Sequence, residues 1–145
     1  MSVHTTAGPA TTDSISTSRR ATDPWPWSKG MGYVQAVEVR GQHTLYVSGQ
    51  TAIDADGQIV GVGDMAAQVV QALDNVAALL AEAGFSFADV VRYDVHTTDV
   101  DAYLAASGPV AERFGEQLPA GGILCQVARL AMPPLLVEIT VTAVR

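Results

Sequence analysis

An apolar residue stands at every second position of residues 135–144, close to the end of the chain. Because successive side chains of a strand point to opposite faces of a sheet, this period of two predicts a strand with one buried face. The apolar face consists of Leu135, Val137, Ile139, Val141 and Ala143. The other face carries a single carboxylate, Glu138, among threonines and aliphatic residues. A lone carboxylate in that setting predicts either a functional site or a buried ion pair.

A second strand is predicted directly before this one, over residues 123–130. Residues 131–134 separate the two, and their two prolines are typical of a turn. Further back, residues 33–40 and 44–49 alternate across a Gly-Gln pair and predict a hairpin. The chain therefore predicts two strands near its beginning and two at its end.

Two helices are predicted between those strand pairs. Asp64 is a suitable N-cap for a helix that ends near Gly84, with an apolar stripe at helical spacing and its glutamines mostly outward. Residues 88–98 alternate as a strand, and residues 101–114 predict a second helix. Pro109 should interrupt that helix and restart it, with Ser107 near the new cap.

The predicted order is therefore ββαβαββ, an α+β fold in which two helices cover one face of a mixed sheet. The opposite face would still carry Leu124, Leu136 and Val144. Since so apolar a face would be left wet in a monomer, we expect the protein to self-associate.

Composition restricts the partners. The 145 residues suffice for one domain with a substantial core, and residues 1–22, rich in Ser, Thr, Ala and Gly, predict a flexible tail before a single domain over 23–145. A formal net charge of −7, from 8 basic and 15 acidic residues, argues against a nucleic-acid partner. With no apolar run long enough to cross a bilayer and no apolar secretory segment, we predict a cytoplasmic protein without a membrane partner.

Neither a metal nor a cofactor is predicted. Cys125 is the single cysteine, so an intrachain disulfide is impossible, and its strand position favours a buried small hydrophobic residue. The three histidines are far apart in the predicted fold, which argues against a histidine metal site. His96 lies on the polar face of its strand beside Asp94, and it is either an acid–base residue or, more often for a lone histidine, a structural one.

Six segments of the chain are distinctive: GYVQAV from Gly32, LYVSGQTA from Leu45, AAQVVQALDNVAALLAEAG from Ala66, VVRYDVHTTDVDAY from Val90, CQVARLAMP from Cys125 and VEITVTAVR from Val137. Together they resemble the Rid family of reactive-intermediate deaminases, also called YjgF or endoribonuclease L-PSP. The resemblance covers residues 32–145. It implies a chorismate-mutase-like fold and a homotrimer with clefts for a small-molecule ligand between subunits.

One family feature is missing. Well-studied members hydrolyse enamines and imines such as 2-aminoacrylate, and an arginine grips the substrate carboxylate. Here the corresponding segment, PAGGILCQVARLAMP, has one extra residue. Alignment on VARL places Gly122 at the position of the arginine and Leu124 at that of a family cysteine. The resemblance thus implies a cleft without its carboxylate clamp, unless Arg92 or Arg113 of a neighbouring subunit replaces it.

Other family positions are retained. By resemblance, Tyr33, Ser48 and Gly49 line the cleft, Ser107 replaces a family asparagine, and Glu138 holds the attacking water. The leading hypothesis is an enzyme that hydrolyses or tautomerises an imine or enamine other than 2-aminoacrylate, in a specialised pathway. The alternative is a non-catalytic trimeric protein that binds or senses a small ligand. Ribonuclease activity is disfavoured by the acidic charge balance.

Overall fold

The computed structural model describes residues 17–24, 26–30 and 32–145. Within them, the chain forms six strands and three helices: β1 Ser18–Thr22, β2 Ala36–Arg40, β3 Thr44–Gln50, α1 Met65–Glu82, β4 Val90–Thr97, α2 Val100–Ala106, α3 Gly108–Phe114, β5 Ala120–Gln126 and β6 Val137–Val144. From β2 onward this is the predicted order, with the second helix in two pieces. The predicted α+β class is confirmed.

The main sheet has four strands in the order β3-β6-β4-β5. β6 is antiparallel to both of its neighbours, whereas β4 and β5 are parallel. β5 and β6 are the two predicted closing strands, but β4 lies between them. The loop that joins them crosses the end of β4, where Thr97 accepts from the Val127 N–H at 2.8 Å and Thr98 donates to Leu136 at 2.9 Å.

The predicted hairpin of β2 and β3 is wrong. β2 pairs instead with β1, antiparallel, and β3 pairs with β6. Between β2 and β3 the chain crosses the end of β6, and the N–H groups of Gln42 and His43 both donate to the Arg145 carbonyl, at 2.9 and 2.8 Å. Gly41 permits this crossing, because a Cβ there would lie 2.9 Å from the Arg145 backbone.

The segment that we assigned to a flexible tail is partly a strand. Residues 1–16 lie outside the described residues, and Ser18–Thr22 forms β1. The Arg19 guanidinium fastens this strand to the rest of the molecule by donating to the carbonyls of Ala88, Gln117 and Leu118 at 2.7–3.1 Å. Tail composition alone does not reveal these contacts, because their acceptors are backbone groups distant in sequence.

The helices follow the prediction closely. Asp64 caps α1 by accepting from the Ala67 N–H at 3.1 Å, and Gly84 follows the helix with a φ of 76°. Ser107 ends α2 and precedes α3, whose first turn contains Pro109. The apolar faces of these helices meet one face of the sheet and enclose a core that includes Val69, Leu73, Val76, Leu80, Val95, Tyr103, Phe114, Val137, Ile139 and Val141.

Gln68 corrects the prediction that the glutamines of α1 point outward, because it is fully buried. Its Nε2 donates to the carbonyls of Gly61 and Pro134, at 3.1 and 2.8 Å, and its Oε1 accepts from the Leu136 N–H at 2.7 Å. A buried amide costs little when its bonds are satisfied in this way. Gln68 therefore joins α1 to the loop that precedes it and to the loop between β5 and β6.

The face of the sheet away from the helices, here called the outer face, is more polar than predicted. Leu124 lies in register with Val95, whose side chain belongs to the helix-covered core, and Leu136 packs against that core. Only Val144 of the three predicted residues stays on the outer face. In the part of the chain that is described, no helix has both the length and the hydropathy to cross a membrane.

Candidate functional site

A cavity of about 410 Å³ lies between β4–β5 and the helices α2 and α3. Four of the predicted site residues line it, namely Tyr33, Ser107, Gly122 and Leu124. The other walls are apolar or phenolic apart from the amide residue Gln35, and no side chain among the described lining residues is charged. We call this space the tyrosine cavity, because three tyrosines contribute to it.

Tyr33 reaches the cavity from the segment before β2. That segment lies beside β5, where the Val34 N–H donates to the Pro119 carbonyl at 3.0 Å and the Gly121 N–H donates to the Val34 carbonyl at 3.4 Å. A Cβ on Gly121 would lie 2.9 Å from the Tyr33 ring. The glycine therefore provides the room in which the ring lies against the strand.

Tyr93 and Tyr103 supply the other two phenols. Burial raises the pKa of Tyr93, and the neighbouring Tyr33 raises it further. The pKa of Tyr103 is raised strongly, again by burial first and then by Tyr93. Because both pKa values move away from neutrality, these phenols remain protonated and can act as hydrogen-bond donors. Neither was identified from sequence, although the alternation of β4 places Tyr93 on the inner face.

Glu138 lies elsewhere, on the outer face, in a row of side chains that crosses the sheet. In this outer row, Glu138 of β6 is in register with His96 of β4, which is in register with Cys125 of β5. On its other side Glu138 packs against Gly49, where β3 has an irregularity between Val47 and Gln50. A Cβ at position 49 would collide with the Glu138 carboxylate, so the glycine makes room for it.

The outer row gives two residues a different setting from the predicted one. Cys125, predicted to be buried, is half-buried and neighbours a histidine. His96, for which a structural role was the more common expectation, is the cross-strand neighbour of the predicted catalytic carboxylate. Side chains directly opposite on adjacent strands are about 5 Å apart at Cβ. The alternation of side chains along β4 and β6 could have predicted this neighbour, but only if the sequence had shown that the two strands are adjacent.

One chain does not bring the predicted site together. Tyr33, Ser107, Gly122 and Leu124 lie at the tyrosine cavity, on the helix side of the sheet, whereas Glu138 and Gly49 lie in the outer row. Ser48 belongs to β3, which is an edge strand of the main sheet, and its side chain is exposed. The sheet lies between the cavity residues and the outer row, so the two groups do not meet within one chain.

The extra residue of the PAGGILCQVARLAMP segment appears as a bulge in β5. Gly121 pairs with Tyr93 and Leu124 pairs with Val95, so β5 has two residues between these pairs where β4 has one. The Ile123 N–H leaves the strand ladder and donates to Asp94 Oδ1 at 2.8 Å. Sheets commonly accommodate an inserted residue in this way, with a local change in side-chain direction.

The bulge brings an acid, rather than a base, next to Gly122, the predicted position of the family arginine. A Cβ on Gly122 would collide with the Asp94 carboxylate. Arg92 holds that carboxylate from the other side, with Nε donating to Oδ2 at 3.2 Å and Nη2 to Oδ1 at 3.0 Å. The hydrogen bond from Arg92 is the largest effect on the pKa of Asp94, which is lowered, with a further contribution from the Ile123 N–H.

The two arginines that remained as substitutes for the missing clamp are both occupied. Arg92 is paired with Asp94, and Arg113 forms an ion pair with Asp74 while lying 5.9 Å from the centre of the Phe87 ring. Among residues 17–24, 26–30 and 32–145, no three acidic, histidine or cysteine side chains are close enough to hold a metal ion.

Comparison with known proteins identifies the family. Residues 28–145 match the family model of endoribonuclease L-PSP. The chain belongs to the endoribonuclease L-PSP family, also known as YjgF or Rid. A RutC family protein of Sulfurisphaera tokodaii is 37% identical over 109 residues, which cover 75% of this chain and 84% of that protein. The 3-aminoacrylate deaminase RutC of Acinetobacter baylyi is 34% identical over 111 residues, covering 77% and 85% respectively.

Solved structures of the family agree with the fold. The Rid family protein YyfB of Yersinia pestis, a protein of unknown function, superposes with a TM-score of 0.81 at 34% identity, covering 88% of this chain and 98% of its own. Rv2704 of Mycobacterium tuberculosis, a member of the YjgF/YER057c/UK114 family, gives 0.61 at 30% identity, covering 88% and 100%. The resemblance seen in the sequence motifs, and the chorismate-mutase-like fold that it implies, are thereby confirmed.

Proposed function

We propose that this L-PSP family protein hydrolyses or tautomerises an uncharged imine or enamine, with Glu138 as the proton-transfer residue. The relative from Acinetobacter baylyi is a deaminase of 3-aminoacrylate, which is an enamine, and this supports the reaction type. The observation that carries the proposal is the position of Glu138: half-buried against Gly49 and in register with His96. A carboxylate beside an imidazole is a common pairing for general acid–base catalysis.

The hydrolytic step requires only water and proton transfers. Water adds to the carbon of the C=N bond while Glu138 accepts a proton from it and returns that proton to the nitrogen, which gives a neutral carbinolamine. Glu138 then moves the hydroxyl proton of the carbinolamine to the nitrogen. The C–N bond breaks, the nitrogen leaves as ammonia or an amine, and the C=O bond of a carbonyl compound forms. In tautomerisation the same carboxylate would move a proton between carbon and nitrogen without water.

The engagement of Arg92 by Asp94 and of Arg113 by Asp74 supports a substrate other than 2-aminoacrylate. Gly122 stands at the predicted arginine position, and the space beside it holds the Asp94 carboxylate, already paired with Arg92, instead of a cation that could bind a carboxylate substrate. An acid bound there without a cationic partner would lose its hydration and gain nothing in exchange. Uncharged substrates avoid that cost.

We further propose that the complete site lies between subunits of a homotrimer. Within one chain the tyrosine cavity and the outer row lie on opposite faces of the sheet, so only a second copy can place one against the other. β3 offers an exposed edge for such contacts, and the Tyr46 side chain on it is 80% exposed. The mass of the protein in solution, measured by light scattering, tests this directly.

The catalytic proposal is tested by Glu138→Gln, assayed with cyclic and aromatic imines that carry no carboxylate. We expect turnover, followed as ammonia release or loss of imine absorbance, to fall by roughly 10²–10⁴-fold, the usual contribution of a general acid–base residue. Glu116→Gln, which makes the same change at an exposed position after α3, should retain full activity. Full activity in Glu138→Gln would refute the role of this carboxylate.

Gly49→Ala offers a milder second test. The new methyl group would occupy the space of the Glu138 carboxylate, which can swing aside because it ends a flexible side chain. We expect a folded protein with reduced turnover and unchanged oligomeric state.

The alternative function is a non-catalytic ligand-binding protein that retains the cavity without the chemistry. The ion pairs of Arg92 with Asp94 and of Arg113 with Asp74 support this alternative, because an arginine paired in this way does not bind a substrate carboxylate. Saturable binding of imines, with neither ammonia release nor double-bond migration, would select this alternative.

A further inference from the structure

The amide nitrogen of Gln35 is buried and has no hydrogen-bond partner among the described residues. Gln35 follows Tyr33 by two positions and is one of the residues that line the tyrosine cavity. Buried side-chain donors in folded proteins are almost always paired, because an unpaired one keeps the cost of lost hydration. A donor that is unpaired at the wall of a cavity indicates a position where a ligand atom can accept its proton.

The cavity is built for an uncharged ligand. Its described lining includes three tyrosines and several aliphatic residues but no acidic, basic or histidine side chain. The closest charged pair, Arg92 with Asp94, lies behind Gly122 and is internally neutralised. An anion entering this space would be desolvated without a counter-charge, which is far more costly than burying a neutral polar group.

The size and walls of the cavity suggest the shape of the ligand. About 410 Å³ is within the range of small-molecule sites. Tyr33, Tyr93 and Tyr103 offer aromatic surface to a flat apolar body. Ser107 already donates its hydroxyl proton to the Leu104 carbonyl at 2.8 Å, whereas the buried Gln35 Nε2 has no acceptor among the described residues.

We propose that the tyrosine cavity binds an uncharged, flat carbonyl or imine compound, and that Gln35 Nε2 donates a hydrogen bond to its C=O oxygen or C=N nitrogen. Gln35 thereby supplies the specificity that a guanidinium would supply for a carboxylate. The inference rests on the proposed function only in taking the C=N substrate and its C=O product as the natural ligands. It assigns no step of the reaction to Gln35, which is a binding residue.

Three probes of similar shape test the ligand class on the wild-type protein: acetophenone, ethylbenzene and benzoate. We expect acetophenone to bind best. Ethylbenzene, which lacks the acceptor, should bind about fivefold more weakly, the effect of a net hydrogen bond of about 1 kcal/mol. Benzoate should bind most weakly, because its charge is unpaired. Titrations followed by ¹⁵N NMR give the affinities, and the Gln35 side-chain amide resonance should shift with acetophenone.

Variants locate the effect at Gln35. Gln35→Leu should remove that amide resonance and make acetophenone and ethylbenzene bind equally. Gln117→Leu, the same change at an exposed position, should leave the ranking unchanged. Benzoate binding as tightly as acetophenone, equal affinities for acetophenone and ethylbenzene in the wild type, or no binding of any probe would each overturn the proposal. The wild-type ranking decides the matter even if Gln35→Leu does not fold.

The two proposals can fail separately. If the probe ranking holds but Glu138→Gln retains full turnover, the cavity binds as inferred and the catalytic role is wrong. If Glu138→Gln abolishes turnover while benzoate binds best, the reaction stands and the ligand class is wrong.

Discussion

The two faces of β6 differ in what their residues do, although they alternate along one strand. Val137, Ile139 and Val141 point toward the helices and are essentially inaccessible to solvent. Glu138 and Thr140, between them, are half-buried on the outer face. The covered face supplies the packing that holds the strand in place, and the outer face holds a carboxylate at a defined position. Alternate side chains of β6 therefore have different roles: those on the covered face stabilise the core, and Glu138 on the outer face has the proposed chemical role.

Polar groups follow the same division. On the covered side, Gln68 is fully buried and makes three hydrogen bonds to backbone groups. On the outer side, Asp94 is accessible and keeps a charged partner, Arg92. A polar side chain on the covered face must therefore be satisfied by the fold, whereas one on the outer face can exchange its partner for water or a ligand.

The largest expected difference between the faces is in core packing. Ile139→Ala should lower the free energy of unfolding by about 2–5 kcal/mol, because it leaves a cavity in the main core. Thr140→Ala, one residue away on the outer face, should change it by roughly 0.5 kcal/mol or less. Urea unfolding of both variants measures the contrast. Similar losses of unfolding free energy in the two variants would show that the two faces are equally packed.

A smaller effect is expected from the buried amide. Gln68→Leu removes three hydrogen bonds and leaves the Leu136 N–H and the Pro134 carbonyl unpaired, which should cost about 1–3 kcal/mol. The Gly61 carbonyl still accepts from the Asp64 N–H at 2.9 Å. Gln71→Leu is the matched control, since Gln71 bonds only to the side chain of Asn75. Thermal unfolding should rank Gln68→Leu well below the control. An equal ranking would mean that water replaces the lost bonds of Gln68.

The smallest effect concerns the ion pair on the outer face. The pKa of Asp94 is lowered from 3.8 by the hydrogen bond from Arg92, so the folded protein binds the proton less readily than the unfolded chain. Its contribution to stability is therefore present above about pH 4 and is lost as the pH falls through the lower, folded pKa. Because the pair is largely accessible to solvent, the contribution is small.

Asp94→Asn tests that contribution. The variant should lose less stability than the wild type when urea unfolding is compared at about pH 5 and about pH 2.5, because its amide does not titrate. Parallel losses in the two proteins would show that this carboxylate is not coupled to folding.

Local patterns predicted the local structure well. The Asp64 cap, the end of α1 at Gly84 and the restart of the second helix at Pro109 all follow from chemistry within a few residues. Pairing between strands was predicted less well. A Gly-Gln pair between two alternating segments suggested a hairpin, but competing partners elsewhere in the chain, β1 and β6, form the observed ladders.

For the candidate site, the motifs located the residues but not their neighbours. Gly122 was identified as the position of the missing arginine, yet nothing near it in the sequence shows that the Asp94 carboxylate fills the space. Gln35 lay inside a recognised motif and still gave no sign that its amide would be unpaired. Both facts depend on atoms brought together from different strands.

The alternation of residues 135–144, the helix signals and the family motifs determined by themselves the elements from β2 onward, the family and the carboxylate at Glu138. Only the tertiary structure decided the strand order β3-β6-β4-β5, and with it the row that joins Glu138 to His96 and the cavity that contains Gln35. The physical reason is that helix caps and side-chain alternation are short-range effects. Which strand lies beside which depends instead on the packing and hydrogen bonding of the whole chain.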